Sequence, residues 1–211
     1  MAKDLKTNIS KLRTSWHTSG GRVLSYGKKY KINEVFNQIG LSAYFASVSR
    51  AINFKDFGID KKTRQKLKED AASYLSKEVK KIYYKEIKTD KEFDKWMKKT
   101  SNKIIGLYSA KGAKDYTLGN AQKLINIAIK YLLSSDSSRR KNTLFKHCHI
   151  PIDSIIQKEL FKYPFNIKQL SCPWSKLNNW NEYMRYQNDV RNKAKQCGYE
   201  SPIACEIDIW P

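Results

Sequence analysis

The amino-acid sequence predicts an all-α protein, and three observations carry that expectation. Apolar residues recur at helical spacing, i and i+3/i+4, through six segments of a 211-residue chain. Side chains suited to helix capping, Asp60, Thr89 and Asp153, stand just ahead of three of those segments. No pair of alternating runs lies across a short turn, as a β-hairpin would require.

Residues 1–33 are polar and basic, with Gly20-Gly21 and Tyr26-Gly27 as turn signals, and read as an irregular arm or weak hairpin. Residues 34–211 read as one helical domain, or as two lobes with a cleft between them. The first helix is expected over 35–52, with Val35, Phe36, Ile39, Tyr44, Phe45, Val48 and Ile52 apolar and Gly40 an unfavourable interruption. Asp60 caps a long basic helix to about residue 86, whose stripe is Leu67, Ala71, Tyr74, Leu75, Val79 and Ile82. Thr89 or Asp90 caps the next, carrying Phe93, Trp96, Met97, Ile104, Ile105 and Leu107. After a Gly/Lys loop at 109–116, Thr117 or Asn120 opens a helix that is apolar almost all round. Residues 134–146 read as a basic loop, 153–163 as a helix behind Pro151, 164–173 as a connection and 175–197 as a helix. The alternation of Ile203, Cys205, Ile207 and Ile209 predicts that the tail docks as an extended segment.

Lys and Arg total 41 against 20 Asp and Glu, a formal net charge of +21. That excess points to a polyanionic partner, with a solubilising surface as the plainer alternative. No run of about 18 apolar residues is present, so no membrane span is expected. The first residues lack an apolar core, so no signal peptide is expected and the chain is placed in the cytoplasm. Cys148, Cys172, Cys197 and Cys205 are then expected to be reduced. Their wide spacing fits neither a zinc site nor an iron–sulfur cluster, and His147-Cys148-His149 lacks a fourth ligand, so no metal or other cofactor is expected.

Two short motifs stand out. Leu118-Gly119-Asn120-Ala121-Gln122-Lys123 leads into the apolar run that ends at Leu133. On that helix Lys123 and Lys130 share one face, with Asn126 between them and Gln122 beside them. The stripe reads either as snorkelling lysines on a core helix or as the wall of a wet cleft. A lysine desolvated among other cations has a lowered pKa and becomes a usable nucleophile. Thirty residues after Lys123 comes His149-Ile150-Pro151-Ile152-Asp153. The proline stiffens the turn and Asp153 is placed as a helix N-cap, where a carboxylate stays ionised. It reads either as a structural cap or as a group that stabilises a sugar cation, orients water or deprotonates an amine.

Together these motifs resemble the helix-hairpin-helix DNA glycosylase superfamily, in which a lysine follows a Gly-containing hairpin and an aspartate follows a Val/Ile-Pro-Val/Ile turn. The second lysine, Lys130, and the long spacer are most similar to the archaeal 8-oxoguanine glycosylase branch. The resemblance covers roughly residues 117–160, and the chain lacks the full Leu-Pro-Gly-Val-Gly hairpin that anchors a DNA phosphate in other members. It implies a monomeric enzyme that flips a base from duplex DNA. Lys123 attacks C1′ and forms a Schiff base that can proceed to strand cleavage, with Asp153 stabilising the sugar cation or activating the nucleophile, while a monofunctional variant uses water and leaves an abasic site. The excised base is a damaged one in base-excision repair or a modified one in defence against phage DNA.

The same comparison makes Gly119 part of the DNA-docking hairpin and Lys130 an electrostatic companion of Lys123. Gln122 and Asn126 become readers of base edges. Trp174 and Trp180 stack on a flipped base or else fill the core, and His149 touches phosphate or caps a helix. The competing classes are a nucleic-acid-binding protein without chemistry and an adaptor for an acidic protein. If roughly six to ten cations meet phosphates, duplex affinity falls about 10³–10⁵-fold between 50 and 200 mM salt. Anisotropy titrations across that range read the slope, and an affinity flat in salt excludes a polyanion partner.

Overall fold

Eight α-helices, one 3₁₀ turn and no strand form the regular structure of the residues that the computed structural model describes, 31–47, 58–135 and 142–210. The chain is all-α. The helices are α1 (Ile32–Ser47), α2 (Lys61–Tyr84), α3 (Asp90–Ser109), α4 (Leu118–Ser135), α5 (Leu144–His147), α6 (Ser154–Phe161), α7 (Trp180–Gln196) and α8 (Pro202–Ile209), with the 3₁₀ turn at Trp174–Lys176. The expected arm falls outside the described residues up to residue 30, as do positions 48–52 of the first expected helix and 136–141 of the basic loop.

Capping chemistry sets most of the boundaries. The Asp60 carboxylate accepts the Thr63 amide at 2.9 Å to start α2. Thr89 accepts the Glu92 amide, while Glu92 accepts the amide of Lys88, a reciprocal lock at the start of α3. Two expectations are corrected by caps. The helix expected over 175–197 begins only at Trp180, because Asn179 accepts the amides of Asn181 and Glu182 and leaves Trp174–Lys176 as a separate 3₁₀ turn. The tail expected to be extended is helix α8, capped by Ser201 with Pro202 in its first turn. Residues 202–207 are all buried, so the helix hides its apolar side chains on every face and their alternation carries no strand signal.

Helix α4 packs against α1, α2, α3 and the 3₁₀ turn, whereas α8 packs against α5, α6 and α7. Of the 18 residues of α4, fifteen are buried, and the exceptions are Lys123, Ile127 and Ser135. Lys123 and Ile127 lie one turn apart, so the helix opens along a single narrow strip.

Gly40, an interruption by propensity, has a packing reason: a Cβ there would stand 2.0 Å from the Ala72 carbonyl oxygen of α2. Only a hydrogen lets α1 and α2 approach this closely, and the Gly40 amide also reaches Ser76 Oγ at 3.1 Å. Gly40→Ala must push the two helices apart, at about 1–3 kcal/mol. In a protein of this size that lowers the thermal midpoint by roughly 2–12 °C. Calorimetry of the variant checks this, and an unchanged midpoint would contradict so tight a crossing.

Candidate active site

The Ile150-Pro151-Ile152-Asp153 run threads between α4 and α7, and side-chain amides hold its backbone. Gln122 of α4 pairs with Ile152 twice, donating to its carbonyl at 2.8 Å and accepting its amide at 3.1 Å. Gln187 of α7 pairs with Ile150 in the same way, at 2.9 and 3.2 Å. Asn126 donates to the Ile150 carbonyl at 3.0 Å and to Gln122 Oε1 at 3.2 Å. Pro151 has no amide to satisfy. The amide and carbonyl of both isoleucines are thus satisfied on either side of Pro151, as buried backbone requires.

Asp153 leaves this clamp as the N-cap of α6, its Oδ1 accepting the amides of Ile155 and Ile156 at 3.0 Å each. Its other oxygen, Oδ2, lies 3.2 Å from Lys123 Nζ, in a pair whose side chains are 16% (Lys123) and 7% (Asp153) exposed. The lysine ammonium also stands 4.6 Å from the ring centroid of Trp174. Tyr186 of α7 feels the same carboxylate: burial first, and the Asp153 charge with it, hold its phenol above the ordinary value.

Gly119 brings Trp174 into place. Its amide donates to the Leu177 carbonyl at 2.8 Å, and a Cβ on it would fall 1.7 Å from the Trp174 carbonyl oxygen. The neighbouring first-turn donors of α4 are taken as well: Leu118 by Asn178 and Asn120 by Thr117, whose hydroxyl donates to the Ser175 carbonyl. These three amides are therefore taken by Thr117 and by Leu177-Asn178, the residues just after the 3₁₀ turn.

Seven residues along α4, Lys130 repeats the pattern in a drier setting. Its Nζ lies 2.7 Å from Glu206 Oε1 of α8 and 4.5 Å from the Trp210 ring centroid, with side chains 8% (Lys130) and 0% (Glu206) exposed. Burial pushes the Glu206 carboxyl up and the adjacent Lys130 ammonium pulls it back, leaving it raised. Each lysine of α4 thus sits between one carboxylate and one tryptophan.

The remaining expected residues have other neighbours. The amides of Gln122 and Asn126 are wholly buried against the aspartate turn. Trp180 packs beside Tyr183 and under Lys98 at the start of α7. His149 is buried between Tyr183, at 2.7 Å from Nδ1, and Asp94, at 2.8 Å from Nε2. Arg191 holds the same Asp94 at 2.7 Å and the His147 carbonyl at 3.0 Å. Burial works to raise the Asp94 carboxyl, but its bonds to His149 and Arg191 outweigh it and leave it below its usual range.

His147 turns instead to Asp90, and the Cys148 thiol, pushed up to about 12 by burial, donates to the Phe145 carbonyl. Among the described residues no three His, Cys, Asp or Glu side chains gather as a metal would require, and no helix is long and apolar enough to cross a membrane.

Sequence reasoning missed Gln187, Glu206, Asp94 and Arg191. Gln187 had a signal, a polar residue on the apolar stripe of α7. No protein-family model matches the chain, and no curated protein or solved structure matches it either.

Burial pulls the His149 ring down to about 4, against the favourable charge of Asp94. An unfolded histidine takes its proton near 6.5, so between those values the unfolded chain binds more protons. The contribution of His149 to stability is full above pH 6.5 and is lost as pH falls toward 4, by at most about 1.4 kcal/mol per pH unit. Urea melts at neutral and acidic pH are expected to show a loss that His149→Gln reduces. Equal losses in both proteins would contradict the assignment.

Proposed function

We propose that this protein is a Lys/Asp-dependent DNA glycosylase of the helix-hairpin-helix kind, acting on a modified or damaged base in duplex DNA. The observation that carries the reading is the 3.2 Å contact between Lys123 Nζ and the Asp153 oxygen left over from capping α6. Lys123 is one of the few α4 residues not fully buried, and a tryptophan ring flanks it. The charge of +21 suits a phosphate backbone.

In this reading the target nucleotide leaves the stack at a cost of a few kcal/mol. Asp153 takes a proton from the Lys123 ammonium, and the free amine forms a bond to C1′. The C1′–N bond breaks, and the base departs with its electron pair and takes up the proton that Asp153 had accepted. Opening of the sugar ring then puts a proton on O4′ and gives the C1′=Nζ imine, which water hydrolyses or β-elimination carries on to strand cleavage. Asp153 keeps its geometry throughout because its other oxygen is fixed by two amides. Docking relies on side-chain cations, since the Leu118, Gly119 and Asn120 amides of α4 are engaged by Asn178, Leu177 and Thr117. Repair and phage defence use the same bond cleavage and differ in the base.

Duplexes carrying oxidised, deaminated, alkylated or glucosylated bases, together with an abasic-site duplex, test the reading. Borohydride is expected to trap a covalent adduct with wild type and none with Lys123→Gln. Asp153→Asn is expected to slow adduct formation about 10²–10⁴-fold. A folded wild type that binds every duplex, releases no base and traps on none is a non-catalytic binder.

A further inference from the structure

The clamp on the aspartate turn is more specific than packing requires. Buried Gln and Asn are costly unless satisfied, and apolar residues would fill the same volume. Yet two glutamines from different helices each meet one isoleucine with a donor and an acceptor, as a neighbouring strand would. The two pairs fall on either side of Pro151, where no amide is available for a ladder. Gln122 also adjoins Lys123 in α4, and Ile152 adjoins Asp153. The Gln122–Ile152 pair and the Lys123–Asp153 pair are therefore consecutive rungs between the same two segments. A shift of the first rung is a shift of the second.

We propose that Gln122 and Gln187 are positioning residues for Asp153, which set its carboxylate against the Lys123 amine by gripping the backbone on both sides of Pro151. The proposal rests on the glycosylase reading for its chemical consequence, but the grip itself can be measured without a substrate. A misplacement of about 1 Å costs on the order of a hundredfold in rate when reacting groups must be aligned. Gln→Glu keeps the shape and the acceptor for the isoleucine amide but turns the donor into a second acceptor facing a carbonyl.

The test uses the full chain with Gln122→Glu, Gln187→Glu and, as a matched destabilised control outside the site, Gly40→Ala. The rate of borohydride trapping at saturating abasic-site duplex is expected to fall at least about tenfold in both glutamate variants, with the half-saturating duplex concentration within about threefold of wild type. Amide exchange at Ile155 and Ile156, which report the Asp153 cap, is expected to quicken while buried amides of α1–α3 keep their protection. Gln122→Met and Gln187→Met remove the donor without burying a charge and replace any glutamate variant that fails to fold.

Unchanged trapping rates, or a fall that Gly40→Ala reproduces, overturn the proposal. If wild type neither traps nor releases a base, the glycosylase reading fails instead, and the exchange experiment decides the grip: unaltered exchange at Ile155 and Ile156 overturns it.

Discussion

A buried polar group whose hydrogen bonds go unmade costs about 1–3 kcal/mol, and α4 buries Gln122, Asn126 and Lys130 together. Each must find a partner inside the protein, and those partners give the molecule its interior design. The amides of Gln122 and Asn126 draw the Ile150–Ile152 backbone against the helix. Lys130 draws in Glu206 and so seats α8. Leu177 and Asn178, which follow the 3₁₀ turn, close on the first turn of α4 through Gly119 and Leu118. What a surface helix would leave to water, α4 resolves by collecting the segments that follow it.

The two lysines of α4 illustrate how burial divides similar chemistry. Lys130 and Glu206 form a deeply enclosed pair, and removing either partner from such a pair typically costs about 3–5 kcal/mol, because the other charge is left stranded. Lys123 and Asp153 are somewhat more open and slightly farther apart, and the aspartate has a second duty as a helix cap. A group fixed by one oxygen and engaged by the other can exchange its partner without losing its place. Asp153 has that freedom, whereas Lys130 and Glu206 together seat α8.

Much of the helical order is legible in the residues themselves, because capping chemistry is local: Asp60, Thr89 and Asp153 each announce a helix within three residues. The failures at Asn179 and Ser201 have the same cause in reverse. Both are good N-caps, and Ser201-Pro202 is a strong start signal, but the apolar periodicity around them runs against the cap. Lys123 and Asp153 are legible as a spaced pair, whereas their partners are not. Gln187, Glu206 and Arg191 act across 37, 76 and 97 residues of sequence, and no local pattern encodes which backbone a distant amide will meet. Gly40 was legible only as a defect of propensity, since its use lies in the approach of another helix.

That long reach carries a consequence for biosynthesis. The segment bearing Asp153 receives its Gln187 support, its Tyr183–His149 contact and the Arg191 bridge to Asp94 from α7, and α8 completes the neighbourhood of Lys130. On the ribosome α1 to α4 emerge first and can pack on one another, and Gln122 can meet Ile152 soon after, but the α7 half of the clamp waits for Gln187. Contacts of such sequence separation form late, after the closure entropy of the intervening loops has been overcome. Until α7 is made, the segment that bears Asp153 has its α4 contacts but lacks the support of Gln187, Tyr183 and Arg191.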